Sequence, residues 1–173
     1  MKKVLVFIAD GSEEIEALTP VDVLRRAGVE VKLVSVNGKQ VTGSHDVLIT
    51  ADEVIENYIS EELDGVVIPG GMPGAVNISM CEKAIEITKR QLSDKKVVAS
   101  ICASPAVVLG AHGLIDGVKA TCYPAPQFID VLGKNYTGAP VQVSENVITA
   151  NGPKSAMEFS IEICKALGVS PKF

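Results

Sequence analysis

The stretch "VVASICASPAVVLG", residues 97–110, decides the fold. Its first half is β-branched and apolar, the composition of a strand buried on both faces. Its second half opens with small residues and Pro105, then repeats apolar residues at helical spacing. A strand running directly into a helix must bend sharply at the join, and Cys102 stands on that bend. Ala103 and Ser104 leave room for it, and Pro105 is pre-set for a first helical turn. This is the setting of a nucleophile elbow. The helix that follows points its positive end at the sulfur, which favours thiolate and lowers the thiol pKa. Position alone leaves two readings open: a reactive thiol, or a buried cysteine acting as a small hydrophobe.

The same alternation extends in both directions. Upstream, "KKVLVFIA" reads as a buried strand and "EEIEALTPVDVLRRAG" as a helix stopped by Gly28, with Pro20 kinking it or opening its second part. "VEVKLVSV" is a strand, "VNGKQVTG" carries the Asn-Gly signature of a hairpin, and "DVLITA" is extended. "ELDGVVIPGG" holds a buried strand ending in glycines, and "MCEKAIEITKRQLSDK" is an amphipathic helix. Downstream, "VKATCY" reads as a short strand, "APQFIDVLG" as a short helix, and "VQVSENVITA" as two strands around a Ser-Glu-Asn turn. The last helix opens with "SAME", where Ser155 and Glu158 have capping-box spacing. Strands alternating with helices predict an α/β domain spanning residues 1–173. Its mostly parallel sheet is covered on both faces, with a small β-hairpin inserted.

In such sheets ligands gather beyond the carboxyl ends of the strands. Asp10 to Glu16, Gly70 and Gly71, Cys102, and Cys122 with Tyr123 all follow strands in this reading, so they meet at one rim. Gly70 and Gly71 let backbone N–H groups approach a ligand and hold an oxyanion; a plain Pro-Gly-Gly turn is the competing reading. Glu13 and Glu14 suit a helix start for ordinary dipole reasons. Glu16 lies nearer the buried side. Turned inward against Cys102, it shares a proton with the sulfur, because two adjacent charges are costly there. Tyr123 stands at the same rim, where a tyrosine can orient a substrate or donate a proton. Cys122 is either a resolving thiol for Cys102 or a packed strand residue. His112 ends the elbow helix and His45 follows the hairpin, and neither position marks a Cys/His dyad.

The totals narrow the function. The chain has 173 residues, 47% hydrophobic and 21% charged, with a formal net charge of −5. No Lys/Arg block interrupts it, so nucleic acid and anionic membrane are poor partners. The apolar run after "MKK" is too short for a signal core, and no run is long enough to cross a bilayer. The cytoplasm is the expected compartment. The cysteines at 81, 102, 122 and 164 include no C-x-x-C pair, so zinc and thioredoxin chemistry have no support in spacing. "GGMPGA" lacks the dinucleotide fingerprint and no Walker A sequence occurs. No cofactor and no metal is expected.

Together, "VLVFIADGSEEIEALTPVDVLRRAG", "GVVIPGGMPGAVN", "SICASPAVVL" and "NGPKSAMEFSIEICKALG" resemble the ThiJ/PfpI superfamily, in the branch of the parkinsonism-associated protein deglycases. The resemblance implies a flavodoxin-like sandwich and a homodimer. It implies a reactive Cys102, a Glu16 carboxyl bonded to its sulfur, and backbone donors at Gly70, Gly71 and Ala103. Two positions depart from the pattern. "TCYP" puts Tyr123 where many deglycase-like members carry histidine, and Ala103 replaces the histidine that follows the cysteine in the protease-like branch. The general base of acyl transfer is thereby lost, a group that contributes ~10²–10⁴-fold. A thiolate still adds to an aldehyde unaided. The expected substrates are therefore methylglyoxal, glyoxal or their early adducts on protein side chains. The competing expectation is a redox-sensing or stress-protective protein whose Cys102 is reversibly oxidised.

Overall fold

The structure, a computed structural model, describes residues 1–59 and 61–173. Its first strand, β1 (Lys3–Ile8), has no polar side chain after Lys3 because both of its faces are covered. Val4, Val6 and Ile8 pack with α1 (Glu14–Arg26) and α5 (Ala156–Leu167) on one face. Leu5 and Phe7 pack on the other with α2 (Gly74–Ser79), α3 (Glu82–Ser93) and α4 (Pro126–Leu132). The strands β2 (Glu30–Ser35), β5 (Glu53–Val54), β6 (Gly65–Ile68), β7 (Val97–Ile101), β8 (Val141–Ser144) and β9 (Val147–Ala150) complete a seven-stranded sheet in the order β5-β2-β1-β6-β7-β9-β8. All neighbours are parallel except β8 and β9. This is the mostly parallel sheet, covered on both faces, that the alternation predicts, and the flavodoxin-like sandwich that the resemblance implies.

Topology positions the site. From β1 the chain first builds outward through β2 and β5, then returns to add β6, β7 and β9 on the other side. The crossover connections therefore diverge between β1 and β6, which opens a crevice at the carboxyl ends of those strands. β7 ends beside it.

Several local readings are corrected. The hairpin exists, as β3 (Gln40–Thr42) and β4 (Leu48–Thr50), but its turn is residues 43–47 rather than Asn37-Gly38. Asn37 instead accepts from the Asp10 amide at 2.9 Å, tying the β2 exit to the end of β1. Helix α1 runs unbroken across Pro20. "VKATCY" forms no strand; Ala120 makes only an isolated bridge to Tyr136. The place beside β7 is taken by β9, whose Thr149 hydroxyl receives the Thr121 amide at 2.9 Å. Helix α2, within "GMPGAVNIS", has no capping side chain and was not legible. Ser155 donates to Asn151 at 2.7 Å instead of closing a capping box with Glu158.

Candidate active site at the elbow after β7

Cys102 leaves β7 with φ +66°, a left-handed conformation that a non-glycine residue seldom adopts. Two backbone bonds hold it there. Its N–H donates to the Ala150 carbonyl at 2.9 Å, and its own carbonyl accepts from the Tyr123 N–H at 2.8 Å. The helix beyond the bend is a single π-helical turn, Pro105–Gly110. It is too short for a macrodipole to act on the sulfur, which corrects the electrostatics expected from the sequence. Individual amides act instead. Burial and the Glu16 charge raise the thiol, and the N–H groups of Gly71 and Ala103 act against them. Cys102 is half-buried as a residue.

Glu16 lies in the first turn of α1 and is fully buried. Its position is set by Glu13, the N-cap, whose carboxylate accepts from the Glu16 N–H at 3.0 Å. One oxygen, Oε1, accepts from the Gly70 N–H at 3.0 Å. The other, Oε2, is buried with no hydrogen-bond partner among the described residues. Burial raises the pKa of this carboxyl group, and its interaction with the Cys102 thiol acts against burial. Gly70 therefore holds the acid and is not a free oxyanion donor, because its one N–H is already engaged. Glycine is required there for space: a Cβ would sit 2.6 Å from the Cys102 Cβ and 2.7 Å from Glu16 Oε1. Ser104, read in the sequence only as a small residue at the bend, donates its hydroxyl to the Pro69 carbonyl at 2.5 Å and fixes the glycine loop against the elbow.

The two acids titrate as a unit. Burial pushes Glu16 up to about 7, against the pull of the thiol and Gly70. Burial, and then the Glu16 charge, push the Cys102 thiol up to about 12. These two steps belong to the pair. Between them the pair holds one proton, as the shared arrangement requires. The helix-lowered thiol pKa expected from the sequence is not met; the thiol is raised.

The other expected residues separate. Tyr123 is 46% exposed and lines a cleft of about 640 Å³ with Pro124, Pro140, Asn151, Gly152 and Pro153. Cys122 is fully buried in the core cluster on the α3 face, whereas Cys102 packs against the cluster on the opposite face. The packed reading of Cys122 is the one its burial fits, and a resolving thiol would need it exposed. His112 faces Ser79 at 3.0 Å, and His45 faces Glu13 and Glu14. Neither ring is hydrogen-bonded at the elbow.

Residues 2–166 match the model of the DJ-1/PfpI family. The chain is 38% identical over 170 residues to the Parkinson disease protein 7 homolog of Danio rerio, covering 96% of this chain and 89% of that one. It is 31% identical over 166 residues to a deglycase of Thermococcus kodakarensis, covering 95% and 99%. It spans only 38% and 41% of the length of the Arabidopsis thaliana DJ-1 homologs B and A. Among solved structures, oxidized Toxoplasma gondii DJ-1 superposes with a TM-score of 0.92 at 41% identity, covering 96% of this chain and 91% of that one. The chain is a member of the DJ-1/PfpI family.

Proposed function

We propose that the protein is a cysteine-dependent, cofactor-independent enzyme of the glyoxalase or deglycase type. Its substrates are methylglyoxal, glyoxal, or their early adducts on protein side chains. The observation that carries this reading is the Cys102 sulfur set between the Gly71 and Ala103 amides and the buried Glu16 carboxyl. The deglycase among the relatives supports the same substrate class.

In this mechanism the pair's single proton sits on Glu16 and the sulfur is thiolate. Sγ forms a bond to the aldehyde carbon, and the carbonyl π electrons move to oxygen. Oxygen takes the proton from Glu16, giving a neutral hemithioacetal and a carboxylate. With methylglyoxal, that carboxylate then removes the proton from the former aldehyde carbon and returns it to the neighbouring carbon through an enediol. The first carbon is oxidised to a thioester and the second reduced to an alcohol, so no external redox partner is needed. Water cleaves the thioester, releasing lactate and regenerating the thiol; glyoxal gives glycolate. Gly71 and Ala103, relieved of a charged sulfur once the adduct forms, are the donors nearest the developing oxygen charge. Tyr123, at the cleft beside the elbow, orients the rest of the substrate.

Purified protein is expected to consume methylglyoxal with lactate as product, and Cys102→Ser to fall to the uncatalysed rate. Equal consumption by the two proteins would overturn the mechanism. A second reading, reversible oxidation of Cys102 as a sensor, is favoured by the oxidized state of the Toxoplasma gondii relative. Mild peroxide followed by mass analysis tests it. Oxidation of Cys164 with Cys102 left intact would reject it.

A further inference from the structure

The glycine loop serves the two acids of the elbow with two successive peptide groups, and each peptide has its carbonyl held from behind by a different donor. We propose that Ser104 is a positioning residue that acts on Glu16 through the Pro69–Gly70 peptide, favouring carboxylate over carboxylic acid. The inference rests on the pairing of Glu16 with Cys102 in the proposed mechanism and names what tunes that acid.

The connection consists of three groups in line. Ser104 Oγ donates to the Pro69 carbonyl oxygen at 2.5 Å, the short end of the range for O–H···O bonds. That carbonyl and the Gly70 N–H are the two ends of one conjugated peptide unit. The Gly70 N–H donates to Glu16 Oε1 at 3.0 Å. A donor on a peptide oxygen draws electron density from the nitrogen, so the N–H at the other end donates more strongly. In such chains each bond strengthens the next by about 10–30%. Ser104 and Glu16 are fully buried, and Pro69 and Gly70 between them are buried too, so solvent does not screen the chain. Ser104 also stands where a serine ordinarily caps, before the turn Pro105–Gly110, yet its hydroxyl makes no capping bond. It is turned to another loop instead.

The next peptide faces the sulfur. Its carbonyl, on Gly70, accepts from the Glu13 N–H at 3.1 Å. Burial raises the Cys102 thiol, and the N–H of that peptide, on Gly71, acts against burial. Ser104 bonds the first peptide, so its effect falls on the carboxyl. Burial raises Glu16, and the Gly70 N–H works against it; weakening that donor leaves Glu16 more readily protonated. Cys102 on the elbow and Glu13 at the start of α1 are the titratable groups that act on Glu16. His45 on the hairpin faces Glu13 and Glu14. Glu158, Glu162 and Lys165 on α5 lie outside its buried face. None of these replaces the Gly70 donor. In the mechanism the relay has a direct use, because a carboxyl so held yields its proton more easily to the substrate oxygen.

The test reads Glu16 itself in the full chain, through its ¹³C carboxyl resonance, assigned by its loss in Glu16→Gln. Wild type and variants are compared at the pH where the wild-type ratio of protonated to ionised Glu16 is one. Ser104→Ala should raise that ratio roughly 1.5- to 4-fold. Ser104→Thr, which keeps the hydroxyl, should return it toward one. The Gly70 amide proton should move upfield in Ser104→Ala, as a weaker hydrogen bond requires. Alkylation of Cys102 near pH 8 should hold or rise, because the Gly71 peptide is untouched and a protonated Glu16 favours thiolate. An unchanged or lowered ratio, a stationary Gly70 amide proton, or slower alkylation of Cys102 would each overturn the relay. The last would show a loop displaced from the sulfur. None of these readouts involves turnover. Loss of the ratio shift in a protein that consumes methylglyoxal strikes the relay alone. The expected shift in a protein that consumes none supports the relay and strikes the enzymatic reading.

Discussion

At the scale of the residue, the chemistry rests on one proton and two acids. Between about 7 and about 12 the Glu16–Cys102 pair holds that proton. In the proposed mechanism it resides on Glu16, so thiolate appears as pH rises through the first step. Alkylation of Cys102 by iodoacetamide should therefore rise with a midpoint near 7. In Glu16→Gln that midpoint should vanish, leaving reactivity only at alkaline pH, because burial of the sulfur persists. A wild-type profile with no step near 7 would assign the proton to sulfur. Stability should follow the same pair. The folded pKa of Glu16 lies above the ordinary 4.5, so its contribution is intact below 4.5 and is lost as pH rises to about 7. The loss is on the order of 3 kcal/mol, from 1.36 kcal/mol per unit. Urea unfolding should find Glu16→Gln close to wild type at pH 4 and more stable than wild type at pH 8. An active-site acid that destabilises the fold is the usual relation between activity and stability.

At the scale of the element, the site depends on three loops brought into contact by backbone, with little room to spare. The Gly70 loop touches the elbow through Ser104 and touches α1 through the Glu13 N–H, which donates to the Gly70 carbonyl at 3.1 Å. Gly70→Ala places a methyl group on the Cys102 Cβ and the Glu16 carboxyl. Overpacking of this kind costs about 1–3 kcal/mol. The expected result is a lower urea midpoint together with loss of methylglyoxal turnover. Retained turnover would show that the pair tolerates displacement. The elbow itself was legible, because a β-branched run broken by Cys-Ala-Ser-Pro allows few other conformations. The inward turn of Glu16 was carried by the family resemblance rather than by its place at the helix start, which Glu13 and Glu14 share and beside which Ile15 is exposed. The engagement of the Gly70 N–H was not legible, since nothing local tells which acceptor a glycine amide will meet. "VKATCY" misled for a related reason. Its β-branched and aromatic residues suit a strand, but the position beside β7 goes to whichever segment packs there best, and β9 carries the continuous buried run.

At the scale of the whole molecule, the two-sided core explains why alternation of elements sufficed to predict the sandwich. Each β1 residue after Lys3 belongs to one core or the other, and no register shift preserves both. Among the described residues no helix is long and apolar enough to cross a membrane. Apolar surface remains at Ile15 and Leu18 on α1, and at Val47 and Leu48 on the hairpin. Val47 is bonded to Glu14, the neighbour of Ile15, so these two segments adjoin. The homodimer that family resemblance implies would cover this face. Replacing Leu18 and Leu48 together with lysine should convert a sedimenting dimer into a monomer, and an unchanged sedimentation coefficient would place the contact elsewhere. The backbone bonds at Cys102 have a consequence at this scale as well. Its amide is tied to Ala150 and its carbonyl to Tyr123, so two distant parts of the chain clamp the bend from opposite sides. Deuterium should enter that amide as slowly as it enters the central strands, even though the residue is only half-buried. The most reactive atom of the molecule would then hang from one of its least yielding peptide groups.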